Sequence, residues 1–254
     1  MNPDFFTIIP ARYDSSRLPG KPLVDIAGKP MVQHVYDRAV EAGSSEIVIA
    51  TDDERIFNVV TAFGGKVVMT SGDHESGTDR LAEVVTQLGW ADDTVVVNLQ
   101  GDEPLMDPDL LRLVANNLHQ HDEVGLTTLA TPILQREEIF NPNAVKVVCD
   151  SAGKALYFSR APIPWVRGNY DVSDSSALPD TTQPLRHLGI YAYRASVLKQ
   201  ITKYPPCEIE LAESLEQLRA LWNGINIHVG IIDQVPGHGV DTEEDLELVR
   251  LAMS

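Results

Sequence analysis

Phe5-Phe6-Thr7-Ile8-Ile9 runs into Pro10-Ala11-Arg12-Tyr13-Asp14-Ser15-Ser16-Arg17-Leu18-Pro19-Gly20-Lys21-Pro22-Leu23, and this junction sets the frame for the whole chain. The apolar run Phe5 to Ile9 has the length and character of a buried first strand. The residues after it cannot continue regular structure, because Pro10, Pro19, Gly20 and Pro22 all oppose a helix or a strand ladder. Arg12, Arg17 and Lys21 therefore ride on a loop at the end of that strand. Pro19 and Pro22 flank Lys21 and restrict it. A restricted loop loses little ordering entropy when it binds, which suits a receptor for phosphates. The plainer alternative is a solvated basic loop.

Outward from this junction, strand-like runs alternate with helical ones. Helical spacing of apolar residues is expected over Met31 to Ala42, Glu54 to Phe63, Thr78 to Leu88 and Pro108 to His119. Strands are expected at Glu46 to Ala50, Lys66 to Met69, Thr94 to Leu99 and Gly125 to Ala130. Such repetition predicts an α/β fold, a Rossmann-like, mostly parallel sheet flanked by helices. In such sheets ligands bind beyond the carboxyl ends of the strands, which singles out the loops after the first, third and fourth strands. The second half changes character. A hairpin is expected over Ala144 to Cys149 and Lys154 to Phe158, then an irregular stretch from Arg160 to Pro184, and a strand at His187 to Tyr193. A helix over Ala212 to Asn223, with Leu211, Leu215, Leu218 and Trp222 as its stripe, precedes a strand at Ile227 to Ile232 and a closing helix from Thr242 to Met253. The expected organisation is one domain over 1–254 with a smaller β-rich insertion at about 141–204.

The chain carries 37 acidic and 20 basic side chains, a formal charge of −17, which argues against nucleic acid or an anionic membrane as partner. Against that background Arg12 to Lys29 stands out, with four cations and two carboxylates, Asp14 and Asp25. Cys149 and Cys207 form no CxxC pair and read as thiols of a reduced compartment. The start of the sequence lacks the positive region of a signal peptide, and no apolar run approaches the roughly 20 residues of a membrane helix. A cytoplasmic protein is expected.

Two phosphate-loop templates fail on the opening loop. Gly20-Lys21 is followed by Pro22 rather than Ser or Thr, Ser15 stands where a first Gly is needed, and GxGxxG is absent. Other stretches carry candidate chemistry. Asp102, just past a strand, is either a turn residue or a ligand for a hard cation such as Mg²⁺. Asp241 is either a helix cap with Glu244, or is released from capping by a Thr242–Asp245 pair one residue on. Ser76-Gly77-Thr78-Asp79-Arg80 fits a helix start and also a pocket in which Gly77 admits a ligand to the backbone. Arg160 suits bidentate binding of a carboxylate. His187 and Tyr191 are spaced to share a strand face. Glu216 and Gln217 read by pattern as the polar face of a helix.

The opening stretch, Pro10-Ala11-Arg12 with Ser16-Arg17-Leu18-Pro19-Gly20-Lys21-Pro22-Leu23, closely resembles the signature of 3-deoxy-manno-octulosonate (Kdo) cytidylyltransferases, the CMP-Kdo synthetases. The resemblance continues in order through Ala50-Thr51-Asp52-Asp53-Glu54, Ser76 to Arg80, Asn98 to Leu105, Phe140 to Asn143, Tyr157 to Arg160, His187 to Tyr193, Leu215 to Arg219 and Gly239 to Thr242. It implies the sugar-nucleotidyltransferase version of the fold and transfer of CMP from CTP to the anomeric 2-hydroxyl of Kdo, with release of pyrophosphate, a step toward bacterial lipopolysaccharide. It implies Arg12, Lys21, Asp102 and Asp241 as catalytic residues and Asp102 and Asp241 as ligands of Mg²⁺. Pro10, Ala11, Arg12, Ser16, Arg17, Lys21, Ser76, Gly77, Thr78, Arg80, Gln100 and Asp102 are the implied nucleotide site. Arg160, His187, Tyr191, Glu216 and Gln217 are the implied sugar site, and a homodimer is expected. Three alternatives remain at this point: a sialic acid cytidylyltransferase, disfavoured by Arg17 to Leu23, a transferase for 8-amino-Kdo, and a non-catalytic nucleotide-binding regulator. The stretch Arg160 to Pro184 is expected to move on substrate binding.

Overall fold

A computed structural model describes residues 4–14, 18–74, 76–170, 178–233, 237 and 239–253. The first half alternates as expected. In order it holds β1 (Phe6–Pro10), a 3-10 turn (Lys21–Leu23), β2 (Asp25–Ile26), β3 (Lys29–Pro30), α1 (Met31–Glu41), β4 (Glu46–Thr51), α2 (Glu54–Ala62), β5 (Lys66–Met69), α3 (Gly77–Gln87), β6 (Val95–Asn98) and α4 (Pro108–Gln120). The second half follows with β7 (Leu126–Pro132), α5 (Arg136–Phe140), β8 (Lys146–Cys149), β9 (Ala155–Ser159), β10 (Leu185–Arg194), α6 (Ala195–Ile201), α7 (Glu208–Glu213), α8 (Gln217–Trp222), β11 (Ile227–Ile231) and α9 (Glu243–Ala252).

The main sheet has the order β11-β7-β10-β6-β1-β4-β5. β1 pairs in parallel with β4 and β6, β4 with β5, and β7 with β11. Side chains alternate faces along a strand, and both faces here are apolar. Ile8, Val48, Ala50 and Val96 pack on one face with α3 and α6 residues such as Leu81, Val84 and Leu198. Ile9, Ile47, Ile49, Val95 and Val97 pack on the other with Val35, Ile56, Leu111 and Val114 from α1, α2 and α4. Continuous apolar strands are thus explained by helices on both sides.

The second half departs from expectation in two ways. First, β10 is no part of a separate insertion. It runs antiparallel between β6 and β7, with Tyr191 opposite Asn98 and Tyr193 opposite Val96, and the β8–β9 hairpin hangs on its first residues. The region at about 141–204 is therefore continuous with the main sheet.

Second, the helix expected over Ala212 to Asn223 is broken. α7 ends at Ser214 in the left-handed region (φ 51°), and α8 starts afresh. The physical reason is Glu210, which accepts from Arg219 Nε at 2.9 Å and from the Cys207 N–H at 3.2 Å. In a straight helix residues nine apart lie on opposite faces, about 13 Å apart along the axis. The break brings them together. It also exposes Leu211 and Trp222 from the expected stripe, while Leu215 and Leu218 stay buried.

A third apolar cluster joins Ile26 and Met31 to Val240, Leu246 and Val249, so α9 packs beside the loop after β1. No helix among the described residues is long and apolar enough to cross a membrane, and Cys149 and Cys207 are both free thiols.

One glycine fixes the approach of two loops. A Cβ at Gly101 would lie 2.5 Å from the Pro10 carbonyl oxygen, a backbone atom with no room to yield. Gly101→Ala is expected to cost about 1–3 kcal/mol of stability as overpacking, read as a lowered midpoint in denaturant. An unchanged midpoint would reject the close approach.

Candidate active site

The site is built at the carboxyl ends of β1 and β6, where the order of strands reverses about β1, the usual position for a ligand in an open α/β sheet. Its first part is the basic loop. Gly20 takes φ 72°, which its missing Cβ permits, and caps the 3-10 turn that begins with Lys21. The turn aims Lys21 across the molecule. Its Nζ donates to Asp102 Oδ2 at 2.7 Å, to the Val240 carbonyl at 2.9 Å and to Asp241 Oδ1 at 3.3 Å. The Val240 N–H in turn donates to the Asp102 carbonyl at 2.8 Å, which stitches the loop after β6 to the segment before α9. The cap ambiguity at Asp241 is resolved: Thr242 is the N-cap, its hydroxyl accepting from the Asp245 N–H in a capping box. The Asp241 side chain instead faces Lys21.

Asp102 Oδ2, Asp241 Oδ1 and the Val240 carbonyl are hard oxygen donors already gathered around one cation. Two carboxylates with open space for phosphate oxygens and water are the usual protein contribution to a Mg²⁺ site. Among the described residues no group of three or more His, Cys, Asp or Glu forms a closed metal cage. Glu103 stands beside this cluster. Burial, with the charges of Asp102 and Asp241, pushes its carboxyl up to about 7, and its Oε2 has no hydrogen-bond partner.

The second part is the loop before α3. Arg12 Nη2 donates to the carbonyls of His74 and, at 3.5 Å, Ser76. The His74 ring is held by Glu83, and Ser76 caps α3 by accepting from the Asp79 N–H at 3.1 Å. Pro10 and Ala11 lie beneath, where the Ala11 N–H donates to the Ala50 carbonyl at 2.8 Å. Ser16 and Arg17 lie outside the described residues. Arg80, expected in the nucleotide site, is held by protein groups. It is fully buried, with Nη2 2.6 Å from Asp52 Oδ2 and Nη1 on the Thr70 hydroxyl. It ties the loops after β4 and β5 together.

The third part is a pair of pockets that share Asn98 and Gln100. One, of about 150 Å³, is lined by Gly77, Thr78, Tyr191, Tyr193, Glu216 and Gln217. The other, of about 230 Å³, is lined by Glu103, Met106, Arg186, His187 and Gly239. The helix break turns Glu216 inward, where its Oε2 accepts from the Thr78 hydroxyl at 2.9 Å. Burial raises its pKa. Glu216 Oε1, Gln217 Nε2, Asn98 Oδ1 and Tyr191 Oη are buried without a hydrogen-bond partner. Unpaired buried polar atoms are costly and rare in native proteins, so a cluster of them lining one cavity marks a surface completed by a ligand.

His187 and Tyr191 do share a face, with ring centroids 5.4 Å apart, although a bulge at Gly189 and Ile190 lies between them. The Thr128 hydroxyl closes that bulge on the Leu188 and Ile190 carbonyls and meets His187 Nε2 at 3.0 Å. Burial pushes the His187 pKa down to about 3, so the ring is neutral at working pH. Arg160, expected on the sugar side, makes contacts with the backbone. Its guanidinium donates to the carbonyls of Glu213, Pro142 and Ser214, and it lines neither pocket. Sequence reasoning missed Asn98, Glu103 and Tyr193 as lining residues. Asn98, polar at the end of an otherwise apolar strand, was the one detectable signal.

Two outcomes follow from these placements. Arg80→Leu is expected to cost about 3 kcal/mol, the low end for breaking a buried ion pair, because Asp52 retains some water contact. Equilibrium unfolding measures it, and a loss under about 1 kcal/mol would return Arg80 to a surface role. His187 has a folded pKa below the unfolded value of about 6.5. Its contribution to stability is complete above that pH and is lost as pH falls toward its folded pKa. Between pH 7.5 and 5, His187→Gln should therefore lose less stability than the unaltered chain, and equal losses would contradict the desolvated ring.

Residues 6–227 match the model of the family described as "Cytidylyltransferase". The chain is 56% identical over 251 residues to the 3-deoxy-manno-octulosonate cytidylyltransferase 2 of Actinobacillus pleuropneumoniae serotype 5b (strain L20), covering 98% of each. It is 56% identical over 250 residues to the 3-deoxy-manno-octulosonate cytidylyltransferase of Hahella chejuensis (strain KCTC 2396), again covering 98% of each. Its structure aligns with CMP:2-keto-3-deoxy-manno-octonic acid synthetase complexed with CTP at TM-score 0.89, with 46% identity and 98% of both chains covered. A putative glucose-1-phosphate thymidylyltransferase from Bacillus anthracis in complex with a sucrose aligns at TM-score 0.65 and 18% identity over 98% of this chain and 95% of its own, a likeness of fold alone. With loop, acidic pair and polar pockets in place over nearly its full length, the chain belongs to the cytidylyltransferase family, among the 3-deoxy-manno-octulosonate cytidylyltransferases.

Proposed function

We infer that this chain transfers CMP from CTP to the 2-hydroxyl of Kdo, releasing pyrophosphate. The carrying observation is the juxtaposition of a cation between two carboxylates, Lys21 with Asp102 and Asp241, and a polar cavity with unpaired Asn98, Tyr191, Glu216 and Gln217 atoms. The first suits a triphosphate, the second a polyhydroxylated sugar.

The Kdo hydroxyl attacks the α-phosphorus in line, forming the new P–O bond as the bond to pyrophosphate breaks. Phosphoryl-type transfer depends on positioning and on charge already in place where negative charge develops. Lys21 supplies one such charge from a rigid turn. Arg12 supplies another at the mouth of the loop before α3. Gln100, shared by both pockets, would lie between the two substrates. Asp102 and Asp241 would hold Mg²⁺, which when bound stabilises charge on the transferring phosphate and lowers the pKa of an attacking hydroxyl. His187, neutral and anchored on Thr128, serves as a hydrogen-bond partner rather than a proton donor. Glu216 and Gln217 complete the sugar hydroxyls' hydrogen bonds. Supply of CMP-Kdo for lipopolysaccharide, a cytoplasmic setting and a homodimer belong to the same reading. Support for the homodimer comes from Phe140 and Trp165, which pack on Tyr170 and are 42% and 55% exposed.

Pyrophosphate release assayed with each of the four nucleoside triphosphates, with and without Kdo or 8-amino-Kdo, tests this. Release is expected only with CTP and Kdo together. Preference for 8-amino-Kdo would change the sugar, and no release with any pair would favour a regulator that only binds. Asp102→Asn is expected to lower turnover about 100-fold or more while the circular dichroism is unchanged. Near-normal turnover would remove Asp102 from the machinery.

A further inference from the structure

The outer side of the basic loop carries a contact that the pockets do not use. The Arg55 guanidinium carbon stands 3.2 Å from the centroid of the Tyr13 ring. Its plane is fixed from behind by Asp53, which accepts from Arg55 Nε at 2.9 Å and pairs with Nη2. Asp53 is itself immobilised as the N-cap of α2, accepting the Arg55 N–H at 2.8 Å. The guanidinium is therefore a rigid plate on the end of a helix.

Tyr13 passes that restraint inward. Its carbonyl accepts the Gly20 N–H at 3.0 Å, and its ring fills the space beside Gly20, where a Cβ would stand 3.1–3.3 Å from Oη, Cζ and Cε2. Gly20 is the left-handed residue directly before Lys21, so its φ sets the direction in which Lys21 leaves the loop. Lys21 Nζ then reaches Asp102 and Asp241. An exposed ion pair such as Arg55–Asp53 contributes little to folding stability, and the Arg55 side chain is 58% exposed. What the pair controls is where the Tyr13 ring sits.

We propose that Arg55 is a positioning residue for the transfer reaction: stacked on Tyr13, it seats the ring against Gly20 and so holds Lys21 toward the triphosphate. The effect is transmitted entirely through the loop, so it acts on CTP and spares the sugar side. A partly exposed cation–π contact corresponds to a factor of about two to five in an equilibrium, and that is the size of the expected effect.

The inference rests on the CTP reading above, which direct binding of CTP to the unaltered chain tests separately. Steady-state kinetics are measured for CTP and Kdo in turn with Arg55→Ala, Tyr13→Leu and Tyr13→Phe, each also checked by thermal unfolding. Arg55→Ala and Tyr13→Leu should lower kcat/KM for CTP about two- to fivefold and leave KM for Kdo within about twofold. Tyr13→Phe keeps the ring face and should restore the unaltered value. In a Lys21→Ala background, Arg55→Ala should give no further loss, read as CTP affinity by calorimetry where turnover is too low. An unchanged kcat/KM in Arg55→Ala, equal losses for CTP and Kdo, or the same additional loss without Lys21 would each overturn the proposal. Should Tyr13→Leu fail to fold, Arg55→Ala, a surface change on a helix end, carries the test alone. A chain that binds no CTP at all would remove the reading beneath it, a result distinct from a clamp with no effect.

Discussion

A single ammonium group organises this protein. Lys21 Nζ meets Asp102 81 residues further along the chain and Asp241 220 residues further along, and it meets both within hydrogen-bonding distance. Attraction between one cation and two carboxylates would be weak if all three were free in water. Here each is delivered on prepared backbone. Gly20 and Pro22 fix the turn that carries Lys21, Gly101 brings the Asp102 loop against β1, and the Thr242–Asp245 box starts α9 one residue late so that Asp241 faces Lys21. The three side chains converge because their supports are rigid, and the same convergence is what the proposed triphosphate and Mg²⁺ site rests on.

The sugar side depends on a different constraint, the direction of β10. Because β10 runs antiparallel to β6, its early residues stand beside the carboxyl end of β6, and Tyr191 is brought opposite Asn98. A parallel strand at that position would place its early residues at the opposite end of the sheet, beside the start of β6. The bulge at Gly189 and Ile190, closed by Thr128, then keeps His187 on the same face as Tyr191. The remaining wall comes from the break between α7 and α8, which rotates Glu216 and Gln217 from solvent into the cavity. Three irregularities, a reversed strand, a bulge and a broken helix, thus supply the polar atoms that wait for a partner.

These irregularities are where sequence reasoning stopped. Leu211, Leu215, Leu218 and Trp222 have helical spacing, and by periodicity alone a continuous helix is the correct inference. Its failure has a local cause, the buried Glu210–Arg219 pair, whose partners on a straight helix would face opposite ways. Arg80 and Arg160 have partners that local pattern could not foresee. An arginine in a ligand-rich motif suggests an anion in solution, but here Arg80 pairs through Nη1 and Nη2 with Thr70 and Asp52, its buried Nε staying unpaired, and Arg160 donates to backbone carbonyls. Asn98 and Glu103 went unnoticed because one ended a strand and the other looked like part of a turn.

The sequence by itself determined the alternation of strands and helices, the irregular cationic loop after β1, the likeness of its motifs to one enzyme family and the candidate acidic pair. All of these are local: periodicity, proline and glycine punctuation and cap chemistry act over a few residues and can be read one stretch at a time. Only the tertiary structure decided that the Asp241 side chain meets Lys21, that β10 is antiparallel within the sheet, that Glu216 meets Thr78 and that Arg80 is buried against Asp52 and Thr70. Those outcomes depend on contacts between residues far apart in the chain, where burial makes each unpaired polar group costly and so selects which partners meet.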